Sequence, residues 1–559
     1  MKALAIYLPI AALFLCLQAL QGLSYLDIGM YMSGYEHFAE EPAVTAYLGQ
    51  WIATYLFTGQ FITKLLPNSF LSLRLLHIVL FLGLQTTVFL WLRNLFNKKL
   101  LIVGMALTTL SHFGSYLDIN YNDYSTTLLT LAILVLHRAV FSRKNAALLF
   151  ALSGGLAGTA VFFRVVNVSF LLLPFVTVPL CKLCRAEVNS SKLFAGFGIG
   201  YLAGMMLMSC YLWQQGAWPV WMLTLSDLTA IGTDGEDPHS LKAVAVGVYT
   251  TYKTFFTQAC VFLAFLFLLT QSIARLKRTW KVMSCTLLAL LFIVNLYLWE
   301  PAAGVVGGIC VIAFSSLFMG NRISPRSDLL LSLSLIVPLV YPIGSNGGLD
   351  FFGQSLFTLA LPVGIVYMAH IPTLISKPCQ QTYPHALRLI FISLGAALLL
   401  TNVKRPMMEE GNRLDCFHSI NNPRTEHILT TAHNATLHNH LLSELTPLVP
   451  KGSYLVCNFS LPLISMLECK PYAVFSDVFT STKMNQHYIN IAHQTLANQT
   501  PAAPAEKIFP WMLIDREQLS EGFGHVVEEL NSRCAYKTVW TDGRYELQRP
   551  YTKKRQRLF

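Results

Sequence analysis

Residues 3–21, ALAIYLPIAALFLCLQALQ, form a continuous run without a charged side chain. A helix needs about 20 mostly apolar residues to cross the hydrocarbon core of a bilayer, and this run meets that length. A lysine followed by an apolar core also occurs in cleaved signal peptides. No clear small-x-small cleavage site precedes the polar residues that follow, however. We therefore interpret the run as a first membrane-spanning helix.

The composition of the whole chain agrees with this interpretation. Of its 559 residues, 54% are hydrophobic and 12% are charged, whereas soluble proteins are usually about 25% charged. This composition excludes a soluble enzyme, a disordered protein and a coiled coil. The net charge of +11 lies mostly in short loops and not on a basic face with interleaved aromatics, so we expect no nucleic-acid partner.

Similar apolar runs recur along the chain and predict about thirteen spans, which together make a mainly helical, polytopic membrane bundle. The predicted limits are 3–21, 71–91, 100–117, 125–141, 146–163, 166–181, 193–213, 252–271, 282–299, 302–319, 328–343, 351–371 and 387–402. One set of loops holds 18 Lys and Arg residues and the opposite set only five. Basic loops stay in the cytoplasm, so we expect a cytoplasmic N-terminus and an external C-terminal segment.

Two external loops are long enough to hold structure of their own. In the first, residues 22–70, the segment 47–66 is apolar and aromatic and predicts an interfacial helix lying on the membrane. A further short span is the alternative for this segment. The loop 214–250 has a polar centre between aromatic flanks and predicts a second interfacial segment.

The composition changes after residue 402, which divides the chain into a membrane domain at 1–402 and an external domain at 403–559. Within the second domain we expect helices at 425–447, 461–467 and 517–531, strands at 453–459, 472–475 and 510–515, and a hairpin at 542–543. Alternating strands and helices indicate a small α/β domain. Its four cysteines, Cys416, Cys457, Cys469 and Cys534, form either two disulfides or free buried thiols.

Acidic residues concentrate on the external face, and three of them are candidates for catalysis. Asp27 follows the first span in YLDIGMY, and Asp118 and Asp123 lie in YLDINYNDYS between two spans. A carboxylate beside the hydrocarbon edge is costly unless it serves a polar cavity. The three could converge, either to accept a proton from a hydroxyl or to share a divalent metal ion. The alternatives are helix caps and turns.

Other polar residues on the same face are candidate substrate contacts. Arg74 in SLRLLH and Arg164 in FFRVVN could bind a phosphate or act as interfacial anchors. Asn167 could position a sugar hydroxyl or bond to a helix end. Tyr31, in the Asp27 motif, and Asn346, in the glycine-rich turn YPIGSNGGLD, complete the candidate set. Three histidines on one predicted helix of the C-terminal domain, His433, His438 and His440, only weakly indicate a metal site.

Together these features resemble the polytopic GT-C glycosyltransferases, which include the protein O-mannosyltransferases and the bacterial aminoarabinose transferase of lipid A. The resemblance is carried by Asp27 after the first span, the long first loop, Arg74 in LRLL, DINYND, FFRVVN, the glycine-rich turn and the external α/β domain. Ile28 follows Asp27, so the acidic pair of some relatives is absent.

The resemblance implies transfer of a sugar from a polyprenyl-phosphate carrier to a lipid, glycan or protein acceptor on the non-cytoplasmic face, with inversion. It makes Asp27 the general base and the bacterial inner membrane the location, with the C-terminal domain in the periplasm. A flippase or transporter of lipid-linked glycans, an O-antigen ligase or polymerase, and a membrane scaffold are the alternatives. No cofactor is expected with certainty, and a divalent metal remains open.

Overall fold

The computed structural model describes residues 2–25, 27–45, 49, 51–67, 69–111, 117–233, 241–299, 302–341, 357–371, 377–404, 410, 412–473, 482–499 and 507–551. Within these residues the fold is mainly helical, with strands only near the C-terminus, as the sequence predicts. The helices are α1 (Lys2–Ala19), α2 (Asp27–His37), α3 (Ile52–Leu65), α4 (Phe70–Leu92), α5 (Lys98–Leu110), α6 (Tyr121–Val140), α7 (Ala146–Ala160), α8 (Leu173–Leu183), α9 (Ser190–Gln214), α10 (Trp218–Thr233), α11 (Leu241–Arg275), α12 (Arg278–Trp299), α13 (Ala302–Phe318), α14 (Pro325–Ser334), α15 (Ile336–Val340), α16 (Ala360–His370), α17 (Lys377–Lys404), α18 (Ala432–Leu445), α19 (Pro462–Met466), α20 (Thr482–Gln499) and α21 (Glu521–Arg533). A 3₁₀ helix at Val165–Leu172 precedes α8.

Seven helical segments in the described part of the chain are long and apolar enough to cross a membrane. They are α1, α4, the 3₁₀ helix with α8, α9, α11, α12 and α17. Only 11% of the apolar window of α12 is buried, which is typical of a helix that faces lipid. Each of the thirteen predicted runs overlaps a helix, but several of these helices are shorter, so the count of thirteen stays a prediction.

The chain forms two compact units, each built from separate segments. The first unit contains residues Met1–Gln18, Leu76–Met208 and Lys242–Leu414, and it holds most of the apolar helices. The second contains Ala19–Leu75, Ser209–Leu241 and Asp415–Phe559. The first long loop, residues 22–70, therefore lies for the most part in the same unit as the C-terminal segment, whereas the sequence pattern assigned only the C-terminal segment to that domain.

Small residues bring α7 and α9 together within the first unit. A Cβ added to Gly158 would lie 2.2 Å from the backbone oxygen of Tyr201, and one added to Gly200 would lie 1.8 Å from that of Ala151. Two helix backbones approach this closely only where side chains are absent. Packing of this kind is a common way for helices to associate in lipid, where the hydrophobic effect does not drive their association.

The C-terminal segment of the second unit contains two sheets. Strands β1 (Cys416–Ser419) and β2 (Leu429–Thr431) pair antiparallel. Strands β3 (Tyr454–Cys457), β4 (Lys470–Pro471), β5 (Trp511–Asp515), β6 (Ala535–Thr541) and β7 (Tyr545–Tyr551) form a sheet in the order β4-β3-β5-β7-β6. The pairs of β3 with β4 and with β5 are parallel, and the other two pairs are antiparallel. The strands predicted at 453–459 and 510–515 and the hairpin at 542–543 are confirmed.

Other local predictions need correction. The helix predicted from residue 425 begins at Ala432, because residues 429–431 pair with β1. The strand predicted at 472–475 lies instead at Lys470–Pro471, and residues 474–475 fall outside the described part. The span predicted at 252–271 belongs to a 35-residue helix that begins at Leu241, because no proline interrupts it.

Both long loops, residues 22–70 and 214–250, contain a helix where an interfacial segment is predicted. In the first loop, α3 has 14 residues, fewer than the roughly 20 that a span needs, which favours an interfacial helix over a further span. In the other loop, α10 occupies residues 218–233. The position of both helices at a membrane surface stays a prediction.

Candidate active site

The chain between α1 and α2 is fixed by backbone hydrogen bonds within the second unit. The Gly22 N–H donates to the Leu429 carbonyl oxygen at 2.7 Å, and the Leu429 N–H donates to the Leu20 oxygen at 2.8 Å. Gln21 pairs with Leu429 as an isolated parallel bridge. This segment therefore runs beside β2, and the path into Asp27 is set by strand-like pairing.

Arg74 holds the same segment through its side chain. Its side chain is fully buried, and its guanidinium donates to the carbonyl oxygens of Ala19 at 2.7 Å, Gly22 at 2.7 Å and Gln21 at 3.4 Å. The last carbonyls of a helix have no partner within the helix, so Arg74 satisfies the end of α1. This arrangement gives Arg74 a structural role, and its proposed contact with a phosphate stays a prediction.

Tyr25 ties the segment to the C-terminal domain by three contacts. Its carbonyl oxygen accepts the Leu461 N–H at 2.8 Å, and its hydroxyl lies 2.8 Å from the Thr430 hydroxyl. Its ring stacks on His438 with 4.7 Å between centroids and an interplanar angle of 24°. Backbone, hydroxyl and ring are thus all held two residues before Asp27.

Gly29 brings the start of α2 against the start of α19. A Cβ at this position would lie 2.2 Å from the Leu461 carbonyl carbon and the Pro462 nitrogen, so only glycine fits without movement. Asp27 is the first residue of α2, and its side chain falls outside the described part of the structure. Tyr31, one turn further on, is buried and stacks on Tyr35.

The far end of α2 is tied down by ion pairs. Arg424 lies 2.9 Å from Glu36. Just beyond the helix, the Glu41 carboxylate accepts hydrogen bonds from the Lys470 ammonium at 2.7 Å and from the Tyr454 hydroxyl at 2.6 Å. Partly buried ion pairs that share hydrogen bonds hold geometry better than exposed ones. Both ends of α2 are therefore held against the C-terminal domain.

His37 lies among these charges and is neutral near pH 7. The pKa of its imidazole is lowered from 6.5 to about 4, mainly by burial and also by the positive charges of Lys470 and Arg424, against the opposing effect of Glu41. Its Nε2 is 3.7 Å from Glu36, whose carboxylate already pairs with Arg424. A neutral His37 avoids adding a third positive charge to this group.

In the first unit, Asp118 and Asp123 lie together at the start of α6. Asn120 caps this helix in a capping box, in which an Asp123 oxygen accepts the Asn120 N–H at 3.0 Å. The other Asp123 oxygen lies 3.0 Å from Nδ1 of His77, and both side chains are at least 90% buried. Asp118 is fully buried and interacts electrostatically with His77. Both acids predicted from sequence thus interact with the same buried histidine.

Arg164 reaches the same turn of α6 through Tyr341. Its guanidinium donates to the Tyr341 carbonyl oxygen and stacks 4.2 Å from the centre of that ring, a favourable cation–π distance. The Tyr341 hydroxyl donates to the Asn122 side-chain oxygen at 2.7 Å. Arg164 is nearly buried, which disfavours a role as an interfacial anchor that reaches into water.

Asn167 also bonds to α6. Its amide nitrogen donates to the Ser125 hydroxyl and, at 2.8 Å, to the Ala160 carbonyl oxygen at the end of α7. Four predicted site residues, Asp118, Asp123, Arg164 and Asn167, are therefore gathered around the first turns of α6. Asp27 belongs to the other unit, and its convergence with Asp118 and Asp123 stays a prediction. Asn346 lies outside the described residues.

Sequence reasoning missed His77 and Tyr341 as members of this group. His77 ends the SLRLLH motif that was singled out for Arg74, and a lone histidine in an apolar run is a signal for a polar function in the membrane. Tyr341 lies 177 residues from Arg164 in the chain, a separation that no local pattern reveals.

The described residues contain neither a group arranged to bind a metal ion nor a disulfide. Within the described residues, no group of three His, Cys, Asp or Glu side chains is arranged to hold a metal ion. All twelve cysteines are described, and all are free thiols. Burial raises the pKa of Cys457 and of Cys469 to about 12, so both stay protonated.

The three histidines predicted on one helix of the C-terminal domain do not share one environment. His438 is buried and hydrogen-bonded within the core, whereas His433 and His440 are exposed.

Comparison with known proteins adds no family: no protein-family model and no curated protein matches the chain.

Proposed function

We propose that the protein is an integral membrane glycosyltransferase that moves a sugar from a polyprenyl-phosphate carrier to a lipid, glycan or protein acceptor. Transfer takes place on the non-cytoplasmic face, with Asp27 as general base. The long apolar helices support a lipid-anchored donor, because a polyprenyl tail requires a membrane environment. The positive-inside pattern of the loops supports the external position of Asp27.

The observation that carries the proposal is the set of contacts that holds the chain on both sides of Asp27. Arg74 and Leu429 fix the segment before it, Tyr25 docks on Leu461, and Gly29 packs against the same residue. A catalytic group needs its position fixed to within a fraction of an ångström, and this is best achieved on rigid elements.

The position of Asp27 also suits a base. It is the first residue of α2, where the helix dipole favours negative charge. In the proposed reaction the Asp27 carboxylate removes the proton from an acceptor hydroxyl while the oxygen of that hydroxyl attacks the anomeric carbon of the sugar. The bond from that carbon to the phosphate oxygen breaks, and the electron pair leaves with the polyprenyl phosphate. Attack from the opposite face inverts the anomeric configuration.

A second candidate function is transport of a lipid-linked glycan across the membrane. The buried His77–Asp123 pair favours it, because ionisable pairs within apolar helices are common in proton-coupled transporters. In this alternative His77 would gain and lose a proton during each cycle. His77 lies near the start of α4 and Asp123 in the first turn of α6, and positions near helix ends fit a midplane transport site less well.

One experiment separates the two functions. Purified protein in sealed vesicles receives polyprenyl phosphates that carry a radiolabelled sugar, together with a membrane lipid and glycan extract. Label recovered in a new covalent product, absent from protein-free vesicles, supports transfer. Label that crosses the bilayer while still attached to its carrier supports transport and contradicts the proposal.

A further inference from the structure

We propose that His438 is a positioning residue that fixes Asp27 through Tyr25. The catalytic part of this inference rests on the proposed function of Asp27, whereas the positional part does not. His438 lies on α18, more than 400 residues from Asp27 in the chain. Its side chain is only 2% exposed, so it acts from within the second unit.

Two hydrogen bonds lock the His438 ring in one orientation. Its Nδ1 lies 2.8 Å from the Asn434 carbonyl oxygen, and its Nε2 lies 2.8 Å from the Ser460 hydroxyl. A carbonyl oxygen only accepts, so Nδ1 carries the hydrogen. In the neutral ring Nε2 is then the acceptor, and the Ser460 hydroxyl donates to it. The plane of the imidazole is thereby set from both edges.

The fixed ring holds Tyr25 directly and indirectly. Directly, the phenol ring stacks on the imidazole at 4.7 Å. Indirectly, His438 binds Ser460, and the next residue, Leu461, donates its N–H to the Tyr25 carbonyl oxygen. Both contacts meet at Tyr25, two residues before Asp27. Rotation of the imidazole would therefore loosen the ring and the backbone of Tyr25 together.

Gly29 completes this route on the other side of Asp27. It packs against Leu461 and Pro462, so the chain touches the start of α19 both before and after the acid. His438 anchors that start through Ser460. An ordinary core histidine would contribute to stability alone, whereas a positioning residue also sets the order of the segment around Asp27.

The test compares three variants in the full-length protein reconstituted in nanodiscs. His438→Phe keeps an aromatic ring for the stack but loses both hydrogen bonds, and His438→Leu loses the stack as well. His433→Phe, at an exposed position of the same helix, is the matched control. Hydrogen–deuterium exchange of residues 22–30 measures order without relying on activity, and transfer kinetics with a polyprenyl-phosphate sugar give kcat and KM.

We expect exchange in residues 22–30 to become about tenfold faster in His438→Leu, with a smaller change in His438→Phe. In the His438 variants we expect kcat to fall by about 10–100-fold while the KM for the donor stays within about twofold. Misplacement of a catalytic group by about 1 Å lowers the rate by up to 10²-fold. The control should match the wild type. Ser460→Ala, which removes one bond and no ring, provides the same test if His438→Leu does not fold.

The inference is overturned if folded His438→Phe, His438→Leu and Ser460→Ala all show wild-type exchange in residues 22–30. It is also overturned if exchange rises equally throughout the protein, because that result describes general destabilisation. If the wild type transfers no sugar, the proposed function fails, but the exchange data still decide whether His438 positions this segment. The two failures are therefore distinguishable.

Discussion

Replacing Gly29 with alanine should displace Asp27 with very little change in chemistry. The added Cβ would lie 2.2 Å from the Leu461 carbonyl carbon, whereas ordinary contacts begin at 3.4 Å, so α2 and α19 must separate by about 1.2 Å. Overpacking of this kind costs about 1–3 kcal/mol of stability. Asp27 lies on the same helical turn and moves with Gly29. A shift of about 1 Å in a catalytic group lowers turnover by up to 10²-fold.

Gly524→Ala is the matched control, because it makes the same substitution on α21 of the same unit and its Cβ would meet nothing within 4 Å. The assay measures kcat with a labelled polyprenyl-phosphate sugar, together with a melting curve in detergent. We expect Gly29→Ala to lose about 10²-fold in kcat while remaining folded, and Gly524→Ala to behave as the wild type. A folded Gly29→Ala protein with wild-type kcat would refute the claim that this contact places the base.

Three further predictions concern ionisable side chains that are buried or mostly buried. Arg74→Met should lower the free energy of unfolding by at least about 3 kcal/mol, because two strong hydrogen bonds to carbonyl oxygens are lost. The KM for the donor should stay unchanged. A raised KM at wild-type stability would instead indicate a phosphate contact. His77→Leu should lower the free energy of unfolding by about 3–5 kcal/mol, because it leaves Asp123 buried without this partner. A denaturant unfolding curve that matches the wild type would exclude an ion pair. His37 takes up a proton near pH 6.5 when the protein is unfolded but only near pH 4 when it is folded. The unfolded state therefore binds more protons between these two values. The free energy of unfolding should fall by about 3 kcal/mol as the pH is lowered through this window. Melting curves from pH 7 to pH 4 should show this slope in the wild type, and an equal slope in His37→Gln would assign it to another group.

The long apolar helices could be predicted because hydrophobicity and length are local properties. The same holds for β3 and β5, whose apolar residues lie in short runs bounded by turns. By contrast, α2 was missed because residues 28–35 are buried on every side, so no amphipathic period marks a helix. Its glycines and tyrosines also have low helix propensity. Packing against the C-terminal domain, not local preference, determines this helix.

The grouping around α6 was predicted only in part. Asp118, Asp123, Arg164 and Asn167 were selected because they lie at the ends of apolar runs, and the structure does bring them to one region. Their partners depend on pairings between distant segments, such as Arg164 with Tyr341, which a single sequence does not encode as a pattern. The union of the first loop with the C-terminal domain was hidden for the same reason.

Sugar transfer by Asp27→Asn tests the role of Asp27 as base. Asparagine keeps the size of the side chain but does not accept the proton, so we expect transfer from a labelled polyprenyl-phosphate sugar to fall by about 10²–10⁴-fold while the melting curve stays unchanged. Glu40→Gln, which neutralises a 65% exposed carboxylate of the same loop, should transfer at the wild-type rate. Wild-type transfer by Asp27→Asn would contradict the proposed mechanism.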